Sequence, residues 1–258
     1  MSYSTGWKSY YASPDYFNSC SSSPFVSIPY NWAGSFQLPL PGSSAYAGFF
    51  AYWSPAIGNG YQNLREHIGR QLASSLVIGT KYYVSFKVSL AYNGPTTSAN
   101  CATNNLGVKF STIPYDIYAD SAGSSPLVNN FAHIYDTTLI TDTVNWTTIN
   151  GSFIADSVYN YLIIANFFKD ANTDTLLFNT FGCCCRSYYY VDEICVSTDS
   201  LTCNPTGVNE IQLQNGVKKT NEPPKGIKAN LKGTFQNLKE EDYNGSNKPD
   251  EYKKLLFT

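Results

Sequence analysis

Flat aromatic faces stack on the C–H surfaces of sugar rings, and an Arg, Asn, Asp or Glu beside them fixes the hydroxyls. Trp32, Tyr46, Tyr52, Trp53 and Arg65 supply that combination within a short stretch of this sequence. Trp53, followed by Ser54 and Pro55 at a predicted strand end, is the strongest of them. Large aromatics also fill protein cores, so two readings stand open for each ring, a stacking platform or interior packing.

Other chemistry finds less material. Asp192 and Glu193 are neighbours in a predicted strand, so their side chains leave on opposite faces and cannot act together as a catalytic acid and base. Asp170, Asn172 and Asp174 alternate oxygen donors as a calcium loop does, but the glycine and the bidentate glutamate that complete such a loop are missing. That segment reads first as a turn and second as a cation site. His67 and His133 are the only histidines, and neither has a Ser or Cys partner in a nucleophile-elbow setting. The sequence holds no Gly-x-x-x-x-Gly-Lys-Ser/Thr phosphate loop, so nothing in it cradles and hydrolyses ATP. We expect no enzyme.

Seven cysteines, Cys20, Cys101, Cys183, Cys184, Cys185, Cys195 and Cys203, leave at least one unpaired within a monomer. Their spacing, with three in a row, does not give the paired ligands of a zinc site. Cys195 and Cys203 are placed for a local bridge in an oxidising compartment; free buried thiols acting as small apolar residues are the alternative.

The elements that must position these groups are strands. Tyr82, Val84, Phe86, Val88 and Leu90 alternate with Tyr83, Ser85, Lys87 and Ser89, which predicts one core face and one wet face. Leu106, Val108 and Phe110 repeat the alternation, Tyr161 to Phe168 is a continuous apolar run suited to a central strand, and Tyr188 to Ser197 closes the series. Asn63 to Leu76 fits helical spacing at Leu64, Ile68 and Leu72, but Gly69 weakens a helix and the β context favours a strand. Residues 1–45 read as long loops with short extended pieces around Trp7, Tyr16 and Trp32. Residues 93–105 and 120–130 read as surface loops.

Composition changes abruptly near Leu213. Residues 1–212 hold 36 of the 40 aromatics, all three arginines and five lysines, for a net charge of −5. Residues 213–258 hold nine lysines, no arginine and four aromatics, for a net +3. We therefore expect two pieces, 1–212 and 213–258. About 200 residues suffice for one all-β domain. In the tail, Pro223-Pro224 followed by Ile227, Leu231, Phe235 and Leu238 predicts an amphipathic helix, and residues 250–257 a second short one. Lys218, Lys219, Lys225 and Lys228 read as a solvated face without stacking aromatics, which argues against nucleic acid. No apolar run is long enough to span a bilayer, and the first residues lack the pattern of a secretory signal.

Tyr46-Ala-Gly-Phe-Phe-Ala-Tyr-Trp-Ser54, Leu64-Arg-Glu-His-Ile68, Gly79 to Phe86, Ala102 to Gly107, Asp142 to Trp146, Gly151 to Asp156, Asn166 to Phe168 with Asp170 to Asp174, and Tyr189 to Val196 follow one another in order. Together they resemble a family of Bacteroidetes secreted and cell-surface proteins over residues 5–211. The resemblance implies an all-β fold, a jelly-roll β-sandwich similar to galactose-binding and carbohydrate-binding modules, exported to the cell surface or the medium. It also implies a first strand ahead of Gly6-Trp7, which we expect to be missing from this sequence, and a structural calcium beside an acidic residue at the position of Asp192. The tail, from Leu213 to Gly226 and from Asn237 to Phe257, resembles a short piece of an axonemal dynein heavy chain, and we read the two as fused at Leu213-Gln-Asn. The expectation is a non-catalytic β-sandwich module that binds a glycan or another surface polymer, with a short C-terminal helical appendage. The alternatives are a structural or adhesive surface domain that contacts proteins, and a dynein fragment without motor activity.

Overall fold

The computed structural model describes residues 6–33, 36–54, 62–92, 99–114, 128–179 and 184–203, and the backbone of 253–255. In chain order the strands are β1 (Trp7–Tyr11), β2 (Asp15–Asn18), β3 (Ala45–Trp53), β4 (His67–Gln71), β5 (Lys81–Leu90), β6 (Cys101–Thr103), β7 (Leu106–Ser111), β8 (Ile134–Asp136), β9 (Thr147–Ile154), β10 (Tyr161–Asn166), β11 (Thr175–Leu177), β12 (Arg186–Ser197) and β13 (Lys253–Leu255). One short helix, α1 (Ser200–Cys203), follows β12. By its contacts the chain divides into two units, residues 1–205 with 252–258, and residues 206–251. The second unit, and with it the helix expected over 227–238, lies outside the described residues. At Lys253–Leu255 the expected second helix is replaced by a strand, antiparallel to β12 with Ile194 opposite Leu255. The open N–H and C=O groups of a sheet edge accept an added strand whatever its helical propensity.

The strands form an antiparallel β-sandwich of jelly-roll type. A five-stranded sheet runs β1-β4-β10-β7-β8, the larger sheet runs β2-β3-β12-β5-β9 with β13 beside β12, and β6 pairs with β11. Between the sheets lies a core that takes Ile68, Val108, Phe110, Leu162 and Ile164 from one and Phe49, Val84, Phe86, Val88, Tyr189 and Val191 from the other. Period-two alternation places these residues inward. Tyr189 shows how a phenol survives there: its hydroxyl accepts from the Thr103 N–H at 2.9 Å and donates to the Ile140 carbonyl at 2.7 Å, leaving no buried polar atom of the ring unmet.

The second face of β5 is not wet as its alternation suggested. Ser85 and Ser89 are buried, because Ser85 donates to the Cys203 carbonyl of α1 and Ser89 donates to Gln37 in the N-terminal loop. That loop covers the outer face of the larger sheet and packs Ala33, Val26, Ile28 and Trp32 on Phe17, Tyr46, Tyr188 and Tyr190. A third apolar cluster, with Tyr10, Ile163, Ala165 and Phe167, lies on the outer face of the five-stranded sheet. β10 is thereby buried on both faces. Asn63 to Leu76 gives the strand β4 and no helix.

Two bridges tie the sandwich. Cys195–Cys203 fastens α1 to β12, and Cys101–Cys185 fastens β6 to the start of β12 across a separation of 84 residues.

Candidate functional site

The end of β3 carries two consecutive aromatics that part company. A bulge in the β3–β12 pairing puts Phe50 opposite Tyr188, Tyr52 opposite Ser187 and Trp53 opposite Arg186. An extra residue in one strand of a pair turns the side chains beyond it, and here it brings Trp53 to the face of Phe50 while Tyr52 leaves on the other.

On one side, the Arg65 guanidinium lies 4.7 Å over the Tyr52 ring. Arg65 is buried, at 2% exposure. It donates to the Leu64 carbonyl at 2.8 Å, the Phe168 carbonyl at 3.0 Å and the Asp170 carboxylate at 2.8 Å. Burial lowers its pKa, with Asp170 opposing that shift. Asp170 also accepts the Asn63 N–H. The carbonyl of Asn172 accepts from Asn105, and the carboxylate of Asp174 accepts from Asn104. The carboxylates of Asp170 and Asp174 and the backbone carbonyl of Asn172 thus serve the 3-10 turn Asp170–Asn172 and the polar web that holds Arg65.

On the other side, the Arg186 guanidinium lies 4.7 Å over Trp53. Phe50 stands 5.2 Å from Trp53 and 6.2 Å from Trp32, ring centre to ring centre. All four side chains are part-exposed. Tyr188 backs the row, edge-on to Phe50 at 4.9 Å and to Trp32 at 5.1 Å. Its ring fits because position 48 is glycine: a Cβ there would come within 2.4 Å of the Tyr188 hydroxyl. That hydroxyl donates to Asp15 at 2.6 Å. Burial raises Asp15, while the Tyr188 and Trp32 donors oppose the shift. The base of Arg186 is fixed by its N–H donating to Asn100 Oδ1, by the Asn100 N–H donating to its carbonyl, and by the neighbouring Cys101–Cys185 bridge.

Of the residues singled out from sequence, Trp32 and Trp53 fall in this row. Tyr46 belongs to the same outer face but is wholly buried, its hydroxyl donating to the Gln37 carbonyl and accepting from Asn31. Tyr52 and Arg65 are together, but with the Asp170–Asn172 turn and not with the row. The sequence does not single out Phe50, Arg186 and Tyr188 as site residues; the alternation of Arg186, Tyr188 and Tyr190 along β12 is a signal for the latter two, and Phe50 on β3 has none.

Asp192 is fully buried and its carboxylate accepts the Glu193 N–H at 2.7 Å. A second bulge between Asp192 and Cys195, with Glu193 at φ 56°, breaks the simple alternation there. Among the described residues no group of three or more His, Cys, Asp or Glu gathers for a metal ion. His67 stacks on Phe167 at 5.9 Å and is held at about 3 by burial. His133 Nδ1 accepts the Phe110 N–H at 3.1 Å, so its proton sits on Nε2, facing the Tyr159 hydroxyl at 3.1 Å. Burial lowers it to about 4.

No family model matches the chain. It is 48% identical over 46 residues to dynein axonemal heavy chain 2 of Homo sapiens, a match that takes 18% of this chain and 1% of that protein. The Mus musculus counterpart gives 49% over 45 residues, again 1% of its length. The chain therefore spans about a hundredth of the curated relatives it matches. Among solved structures it is similar to the CBM22-1–GH10 modules of the Clostridium thermocellum endo-1,4-β-D-xylanase 10B complexed with xylohexaose, at TM-score 0.35 and 11% identity over 74% of this chain and 25% of that one. It is also similar to the K3 cleaved adhesin domain of Lys-gingipain from Porphyromonas gingivalis, at TM-score 0.30 and 12% identity over 73% and 94%. No helix among the described residues is long and apolar enough to cross a membrane.

Proposed function

We propose that the β-sandwich is a non-catalytic, exported module that binds carbohydrate along the row Trp32, Phe50 and Trp53. The observation that carries this reading is the row itself: three part-exposed rings side by side, backed by a buried, hydrogen-bonded tyrosine, with a guanidinium at one end. Sugar rings present C–H faces to such surfaces and hydroxyls to the polar groups at their rim. Rigid aromatics lose little conformational freedom on binding. Two disulfides, one of them closing a long loop, support an oxidising compartment. The non-catalytic part of the reading is supported by the engagement of Asp15, Glu66 and both histidines inside the fold.

A second reading has its own observation. The N-terminal loop exposes Phe25 at 68%, Tyr30 at 65%, Phe36 at 48% and Leu38 at 57%, an apolar patch of the kind that contacts proteins. A glycan array probed with the full chain, with Trp53→Ala and Trp32→Ala as controls, decides between the two. Binding lost about tenfold or more in both variants supports the row. Unchanged binding in both places the ligand elsewhere, and a folded sample that binds no glycan leaves the adhesive reading.

A further inference from the structure

The two arginine stacks at the end of β3 are built alike and end differently. Arg65 over Tyr52 has its charge met by Asp170. Arg186 over Trp53 makes no ion pair among the described residues; the Nε of both guanidinium groups is buried from water and meets no acceptor there, so the ion pair alone sets the two apart. Fixing a guanidinium on an aromatic face uses its flat surface and leaves its N–H edge for a planar partner, and the partner that matches that edge is a carboxylate held by two parallel bonds. An arginine that serves packing alone needs no such fixed mount. This one is anchored from behind by Asn100 and a disulfide, and lies across the strand pair from the row's last ring.

We infer that Arg186 is the recognition point for a carboxylated sugar, and that the ligands of the row are acidic, uronate-bearing polysaccharides. This rests on the reading of the row as a carbohydrate site. A uronate carries its carboxylate at the rim of the ring, so one sugar lays its C–H face on Phe50 or Trp53 while its carboxylate lies beside the guanidinium edge. The carboxylates on this side of the sheet do not compete for Arg186: Asp15 accepts from Tyr188, and Glu66 accepts from Ser13 and Phe50.

The test is affinity electrophoresis of the full chain in gels containing polygalacturonate or alginate, a neutral xylan or glucan, or dextran sulfate. Retardation by the uronate polymers, weaker in the neutral ones, is expected, and Arg186→Gln should weaken it about tenfold or more. Arg186→Lys keeps the charge without the planar fork and should fall between. Equal retardation by dextran sulfate with no response to Arg186→Gln would reduce the effect to general polyanion attraction and overturn the inference. Binding to neutral polymers alone also overturns it while leaving the carbohydrate reading standing. No retardation by any polymer sinks both. Thermal unfolding of the two Arg186 variants, matched to the parent, shows that the loss is one of contact.

Discussion

Phe50 and Glu66 hold each other by two hydrogen bonds: the Glu66 N–H donates to the Phe50 carbonyl at 2.8 Å, and the Phe50 N–H donates to the Glu66 carboxylate at 2.8 Å. β2 begins at Asp15, opposite Gly48, so this edge of β3 has no strand partner at Phe50, and an unmet buried N–H is costly. Glu66 supplies the missing acceptor from the far side of the crossing between the sheets. Its other oxygen accepts from the Ser13 N–H and hydroxyl, so one carboxylate fixes both the β1–β2 connection and the middle ring of the aromatic row.

That position has a pH consequence. Burial raises Glu66 from its ordinary 4.5 to about 7, with the neighbouring Asp15 charge adding to the shift and the donated N–H groups opposing it. A carboxyl raised in the fold contributes stability that is full below the unfolded value and is lost as pH rises through about 7. The histidines run the opposite way: held neutral at about 3 and about 4, they lose stability as pH falls below about 6.5. Urea unfolding of the parent and of Glu66→Gln between about pH 5 and about pH 8 separates the contributions. The parent should lose on the order of 2 kcal/mol more than the variant across that range. Parallel curves would refute the assignment.

Gly69 is a place where a side chain cannot fit. A Cβ there would lie 1.8 Å from the Tyr10 ring and 3.0 Å from the Leu162 carbonyl, because Tyr10 lies flat across β4. Gly69→Ala should destabilise by about 2 to 3 kcal/mol through displacement of that ring. Combining it with Tyr10→Ala should cost less than the sum of the single changes. Additive costs in a double-mutant cycle would show that the ring is not what the methyl meets.

The two disulfides should differ in weight. Closing 84 residues restricts the unfolded chain more than closing 8, by chain entropy about 4 to 5 against about 2 to 3 kcal/mol. Replacing Cys101 and Cys185 with alanine should therefore lower the unfolding midpoint further than replacing Cys195 and Cys203. It should also loosen Arg186, seen as weaker binding by the row. The reverse order of stability would count against it.

Parts of this were readable along the chain. The alternation at Tyr82–Leu90 and at Leu106–Phe110, and the apolar run after Tyr161, name core strands because period-two burial is written in consecutive residues. The wet face expected for β5 failed because the loop that buries Ser89 comes from Gln37, some fifty positions earlier. The helix expected over 250–257 failed for the same kind of reason: at Lys253–Leu255 the pairing partner, not the residues themselves, sets the conformation.

The amino-acid order by itself settled the all-β class, the inward-facing residues of the main strands and the presence of an aromatic-rich stretch around Trp53. Only the folded chain settled which aromatics stand together. A one-residue bulge opposite Ser187 sends Tyr52 to a buried Arg65 paired with Asp170, and Trp53 to a half-buried Arg186 that has no ion pair among the described residues. Register between strands more than a hundred residues apart decides that, and local propensity carries no record of it.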